Sequence, residues 1–187
     1  NDDLDDVVVR LVQAREFVEQ GNHESAGRLV PELLKGWLKI ESFPDPTLLL
    51  SLLDGFDFVL TGLKRYEDNI QAAKKAIQLG EHLHRKTHQL TARRPIAEAY
   101  SILAESSWKM GQLQQALTYA DQGLKELHQL RSVPSFEYTR TYSRVGTQTV
   151  IERDRPIVRG VTQLIHFLNI LKGDVLMERW ERHGLES

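Results

Sequence analysis

Cysteine is absent from this 187-residue chain, so no disulfide framework, thiolate catalyst or cysteine-type zinc site can be built from it. Aromatic residues are few, at 7%, and strand-like alternation is hard to find outside one stretch. No apolar run reaches the roughly 18 residues that mark a membrane span, and no signal peptide is visible, so no membrane partner is expected. An excess of one charge is missing too. The 24 basic and 26 acidic residues leave a formal net charge of −2, which makes the whole chain a poor bulk nucleic-acid binder. Nor is there a nucleophile elbow, phosphate loop or dinucleotide fingerprint; no enzyme, catalytic residue, metal or cofactor is expected. A cytoplasmic, intracellular compartment is the expectation, although the lack of cysteine is also compatible with secretion. The chain begins with Asn rather than Met, as an excised domain would.

What remains is rich in leucine, 41% hydrophobic and 27% charged, the balance of a globular helical domain. Its most informative stretch is Ala97 to Leu127. Ile102, Leu103, Ser106 and Met110 recur at helical spacing before Gly111. Leu113, Ala116, Leu117, Ala120, Leu124 and Leu127 recur after it. Gly111 suits a left-handed cap, where a Cβ would clash. Ala104, Ala116, Ala120 and Gly123 stand where two antiparallel helices must approach closely. In this pattern of Tyr100, Leu103, Ala104, Gly111 and Ala116, the stretch resembles a tetratricopeptide repeat.

Weaker copies surround it. In the first, Val7, Leu11, Ala14 and Val18 share a helix face, and Gly21-Asn22 ends that helix. Ala14, Phe17, Gly21 and Ala26 match the repeat, whereas Arg10 and Gln13 do not. Pro31 inside the partner helix predicts a kink or a break. The segment from Glu41 to Thr47 reads as a linker, with Thr47 able to cap the next helix. Leu49, Leu52, Leu53, Phe56 and Leu60 then form a wide apolar arc that includes Gly55. Lys64 replaces the turn glycine, and Ala73 and Ala76 take small positions in the partner helix. Pro95 opens the third repeat.

Residues 135–154 are ambiguous. Phe136, Tyr138, Arg140, Tyr142 and Arg144 alternate as in a β-hairpin turning near Gly146-Thr147. Yet Tyr142 follows Tyr100 by 42 residues, and Val145 and Gly146 take the places of Leu103 and Ala104. A fourth helical repeat, with its turn near Arg153-Asp154, is the preferred reading and the hairpin its alternative. Gly173 then ends the partner helix and Asp174 caps a final one.

The resemblance thus implies an all-α fold, a right-handed α-α superhelix or solenoid of about four helical hairpins in a single domain. The repeats span approximately residues 4–40, 47–88, 95–130 and 135–172, with a capping helix at 174–184. Turns at Gly21, Lys64, Gly111 and Arg153 are 43, 47 and 42 residues apart, longer than the common period of 34. This is similar to the variant in kinesin light chains, G-protein-binding polarity adaptors and bacterial peptide-sensing regulators.

In that family the first helix of each repeat lines a concave groove that holds a peptide or helix. The transferred register implies groove positions Leu11, Arg15, Val18 and Glu19; Glu98, Ser101, Glu105, Trp108 and Lys109; and Arg140, Ser143 and Thr147. Trp108 is either a binding anchor or an inter-repeat packing residue. Glu98 and Glu105 lie on one face and could receive a basic segment, or could be solvated helix charges. Arg15, Phe58, Glu105 and Thr147 hold the places of a carboxylate clamp but include no Asn, against the chaperone-binding subtype. The expected function is therefore a protein- or peptide-binding scaffold: an adaptor, assembly factor or regulatory domain. One alternative is a regulatory or nucleic-acid-associated domain using the Arg/Tyr-rich 136–159 segment. Another is a metal-dependent enzyme using His82, His84 and His88, of which the last two are four residues apart. Self-association through an uncapped end also stays open.

Overall fold

A computed structural model describes residues 2–131, 138–145, 148–156 and 160–184, with the backbone alone described for 138–145 and 148–156. Six helices make three consecutive pairs. These are α1 (Asp2–Glu19) with α2 (His23–Lys39), α3 (Pro46–Gly62) with α4 (Tyr66–Thr87), and α5 (Arg93–Lys109) with α6 (Leu113–Leu130). A short 3-10 turn, Leu90–Ala92, precedes α5. Two strands follow, β1 (Tyr138–Val145) and β2 (Gln148–Pro156), and then a last helix, α7 (Val161–His183).

The same turn closes all three pairs. Gly21, Lys64 and Gly111 adopt positive φ, at 74°, 56° and 76°. In each turn the N–H of that residue donates to the carbonyl three residues earlier: Gly21 to Val18, Lys64 to Thr61 and Gly111 to Trp108. The following N–H donates to the carbonyl five earlier: Asn22 to Phe17, Arg65 to Leu60 and Gln112 to Ser107. These bonds satisfy carbonyls that a helix end leaves without partners. Gly avoids the steric cost of this conformation at two turns; Lys64 bears it at the third.

The first helices of the pairs contact one another in series, α1 on α3 and α3 on α5, and α7 continues the row against α5 while packing chiefly on α6. Gly55 and Gly62, seven residues apart on α3, let α1 come close. A Cβ at either would meet Leu11 or Val18 at 3.0 and 2.9 Å. Leu11 and Val18 are thus packed between helices rather than presented in a groove. Behind this row, Trp37 is fully buried between Phe43 and Phe56, and its indole donates to the Ala72 carbonyl at 3.0 Å. A second apolar cluster joins α5, α6 and α7 through Ala97, Ala104, Leu117, Leu124, Leu164 and Leu168. Tyr119 packs against both clusters and makes the core continuous.

Four local expectations are corrected. Of the kink or break expected at Pro31, the break is absent, and helix α2 runs through the proline. Helix α3 starts at Pro46, whose missing N–H and preset φ suit the first position, so Asp45 and not Thr47 is the cap. Its carboxylate accepts from the Leu48 N–H at 2.7 Å. Third, residues 138–145 and 148–156 do not form a fourth helical repeat. They are an antiparallel β-pair running from Tyr138 opposite Pro156 to Val145 opposite Gln148, with an irregularity beside Thr141 and Tyr142. A run dense in Thr, Tyr, Arg and Val lacks the apolar 3.6-residue stripe that a helix needs for burial, and it has strand propensity instead. The turn residues Gly146 and Thr147 lie outside the described residues, as do Ser132 to Pro134 and the start proposed for the next helix at Ile157. Fourth, Gly173-Asp174 does not divide the last segment. Leu164, Leu168, Leu171 and Val175 stay in register and are all buried, which outweighs about 1 kcal/mol for one interior glycine.

Apart from this β-pair, the described residues are helices and their connections. Among them no helix is long and apolar enough to cross a membrane.

Candidate functional site

Superimposing the three turns in sequence puts Arg15, Phe58 and Glu105 at one repeat position, six residues before the positive-φ residue. Leu11, Asp54 and Ser101 share another, ten before it. The row along α1, α3 and α5 is therefore built from Arg15, Asp54, Phe58 and Glu105, of which Asp54 and Phe58 are exposed and Arg15 and Glu105 half-buried.

Arg15 and Phe58 are neighbours in space: the guanidinium lies 4.8 Å from the ring centroid. The Arg15 Nε also donates to Glu19 at 3.2 Å, so one cation joins an aromatic face and a carboxylate. Glu98 is buried and paired with Arg94 at 2.9 Å. Ser101 is buried as well, and its hydroxyl donates to the Glu98 carbonyl at 2.7 Å. Trp108 is half-buried. Its indole donates to Glu178 of α7 at 2.6 Å, and Lys109 Nζ lies 5.7 Å from its ring centroid. Trp108 thereby packs α5 against the terminal helix. The side chains of Arg140 and Ser143, and the whole of Thr147, lie outside the described residues.

Beneath this row is a polar knot that the sequence did not advertise. Asn69 stands where the first and third pairs carry Ala26 and Ala116, and it is fully buried. Its amide donates to Asp57 at 2.9 Å and lies 3.4 Å from both Thr61 Oγ1 and Ser106 Oγ. Thr61 also donates to Asp57, at 3.1 Å. Among the described residues, Asn69 Oδ1 and Ser107 Oγ are buried without a hydrogen-bond partner. Burial pushes the Asp57 carboxyl up to about 6; its bonds from Asn69 and Thr61 oppose the rise, and the nearby charges of Glu105 and Glu98 add to it. The one available signal was an Asn at a position whose two counterparts are Ala.

A second polar junction lies across α4, α5 and α6. Arg93 makes two hydrogen bonds to Glu126, at 2.5 and 2.6 Å, and reaches Glu81 at 3.1 Å. These bonds hold its guanidinium firmly protonated. With Tyr100 and His84 it lines an open cleft of about 430 Å³.

No family model, curated protein or solved structure matches this chain. The site must be read from its own geometry.

The decisive feature of that geometry is the β-pair. Strand β1 lies against α3 and α1, and β2 lies against α1. Extended chain therefore lies against two of the three first helices, α1 and α3. The histidines gather differently. His88 is the positive-φ cap of α4, with its N–H bonded to the His84 carbonyl at 2.7 Å. Among the described residues, no three His, Asp or Glu side chains come together as a metal site. At the other end, α7 leaves Ile170, Leu176, Met177 and Trp180 about half exposed, so the terminal helix does not present a polar outer face.

Proposed function

We propose that this chain is a protein-binding scaffold, a tetratricopeptide-like solenoid of three helical hairpins and a terminal helix. It holds an extended partner segment on the row of first helices. The observation that carries the reading is the seating of β1 on α3 and α1, because it is extended chain against that row. The three repeated turns support the repeat assignment, and the mixture of Arg15, Phe58 and Glu105 offers aromatic and charged contacts side by side.

The test is affinity capture from the native extract with wild type and with Glu105→Lys, both checked for helicity by circular dichroism. Glu105 is preferred to Trp108, whose bond to Glu178 makes it a packing residue. A protein captured by wild type, lost with the folded variant, and binding purified wild type directly would support the reading. A folded variant that retains every captured protein would overturn it.

A further inference from the structure

The two strands present unlike edges. Among the described residues each pairs only with the other, so each has one side with no strand beside it. Strand β2 is interrupted: Thr141 stands opposite Arg153 and Tyr142 opposite Ile151, which leaves Glu152 as an extra residue. It also ends on Pro156, which has no N–H to offer, and Glu152, Arg153, Asp154 and Arg155 follow one another in it. A bulge, a proline and charge are devices that keep an edge strand from pairing further. Strand β1 has neither bulge nor proline. Its eight residues are opposed without an insertion of their own, and none is glycine. Its outward backbone N–H and C=O groups therefore form an uninterrupted row.

The strands also differ in what they lie on. Strand β2 lies against α1, and β1 against α1 and chiefly α3. The next first helix in that order is α5, which carries the half-buried Glu105. Strands pair about 4.8 Å apart and helices pack about 8–10 Å apart, so one more strand beside β1 reaches toward α5.

We propose that the outer edge of β1 takes a third strand from the partner, by backbone pairing, in the place beside α5. The proposal rests on the scaffold reading and supplies what that reading leaves open, the way in which the segment is held. The occupant is an extended protein segment of about six residues with no internal proline. Its backbone supplies affinity, and its alternate side chains, meeting the row at Glu105, supply specificity. A bare segment is favoured over a second copy of this chain. The place beside α5 admits one strand, whereas a copy's β1 comes with its own α1 and α3 against it.

The experiment uses the full chain and a labelled peptide, QTVIERDR, taken from β2 and so compatible with pairing to β1. Two further peptides carry N-methyl groups on alternate residues, one at the odd positions and one at the even. Strand addition uses the N–H groups of one phase only. By fluorescence anisotropy one methylated peptide should bind within about threefold of the parent, and the other at least about tenfold more weakly. Equal binding by both methylated peptides, or loss of both, would overturn strand addition, as would failure of the parent to bind at millimolar concentration. Glu105→Trp, checked for helicity, crowds the place beside α5 and should weaken the parent peptide at least about tenfold. Unchanged affinity would overturn that placement.

Site-resolved amide exchange supplies an independent arm. In the chain alone, every second N–H of β1 bonds β2 and should exchange at least about tenfold more slowly than those between. On peptide binding the fast set should slow, with β2 still protected. Slow exchange at every β1 amide of the chain alone would show the edge already covered, and loss of protection in β2 would show replacement instead of addition; either overturns the proposal. The scaffold reading fails separately. It falls if no native protein is captured in a Glu105-dependent way, and it stands if one is captured while the methylated peptides show no phase.

Discussion

The guanidinium of Arg65 donates to the Gly27 carbonyl at 3.1 Å, and Gly27 is the residue four before Pro31. Proline has no N–H to return to that carbonyl, so the helix loses one bond there. The turn of the second pair supplies a substitute from outside, which helps α2 run through its proline. Arg65→Ala should therefore cost about 1–2 kcal/mol by urea unfolding. In a Pro31→Ala background, where the helical bond is restored, the same substitution should cost clearly less. Equal costs in the two backgrounds would show that the bond does not serve the proline.

Lys64 holds a positive φ of 56° at the position that Gly21 and Gly111 hold in the other two turns. Left-handed backbone costs an ordinary L-residue roughly 1–2 kcal/mol, part of which a glycine gives back through its freer unfolded chain. Lys64→Gly should raise stability by about 0.5–1 kcal/mol. The check is a shift of the denaturation midpoint without a change of slope. A lower midpoint would mean that the lysine side chain contributes more than the backbone strain costs.

Asp57 is held up to about 6 from an ordinary 3.8, chiefly by burial. A raised carboxyl favours the folded state when protonated. Its contribution is fully present below about pH 4 and is lost as pH rises through 6. Two pK units correspond to less than about 3 kcal/mol, and partial exposure lowers the figure to about 2. Asp57→Asn keeps an oxygen for Asn69 and removes the charge. It should stabilise the protein by up to about 2 kcal/mol at pH 7.5 and hardly at all at pH 4. The same gain at both pH values would assign the effect to packing rather than charge.

Trp108 bonds Glu178 across 70 residues of sequence, and two further links, Lys172 to Asp121 at 2.6 Å and Arg179 to Gln114 at 3.1 Å, tie α7 to α6. Trp108→Phe keeps a large ring and deletes the donor. A loss of about 1 kcal/mol is expected, together with faster amide exchange in α7 than in α3. Uniform acceleration across the chain would instead indicate a global loss with no special role for α7.

Where information is local, this chain declares its structure. Helix pairs follow from apolar residues at 3.6-residue spacing, and the turns at Gly21, Lys64 and Gly111 follow from signals within a few residues of each helix end. The boundaries that misled were also local, but there a competing local rule won: Pro46 moved the cap to Asp45, and burial of Leu171 and Val175 carried α7 through Gly173. Residues 138–156 offered strand propensity against three matches to a repeat, and no apolar stripe existed to favour the helix.

The candidate site was legible only in part. Glu98, Ser101 and Glu105 could be placed on α5 from the register, but their surroundings could not. Whether Trp108 meets a partner or α7 depends on a helix 70 residues away. The bonds of Asn69 to Asp57 and of Arg65 to Gly27 join different elements, and no periodicity within one helix encodes them. By itself the sequence determined the first six helices, their pairing and the three turns between them, because hydrogen bonds along one stretch and burial of one stripe are satisfied locally. The tertiary structure decided which polar groups are buried together and what lies on the row of first helices. Those outcomes depend on how separate stripes pack against one another.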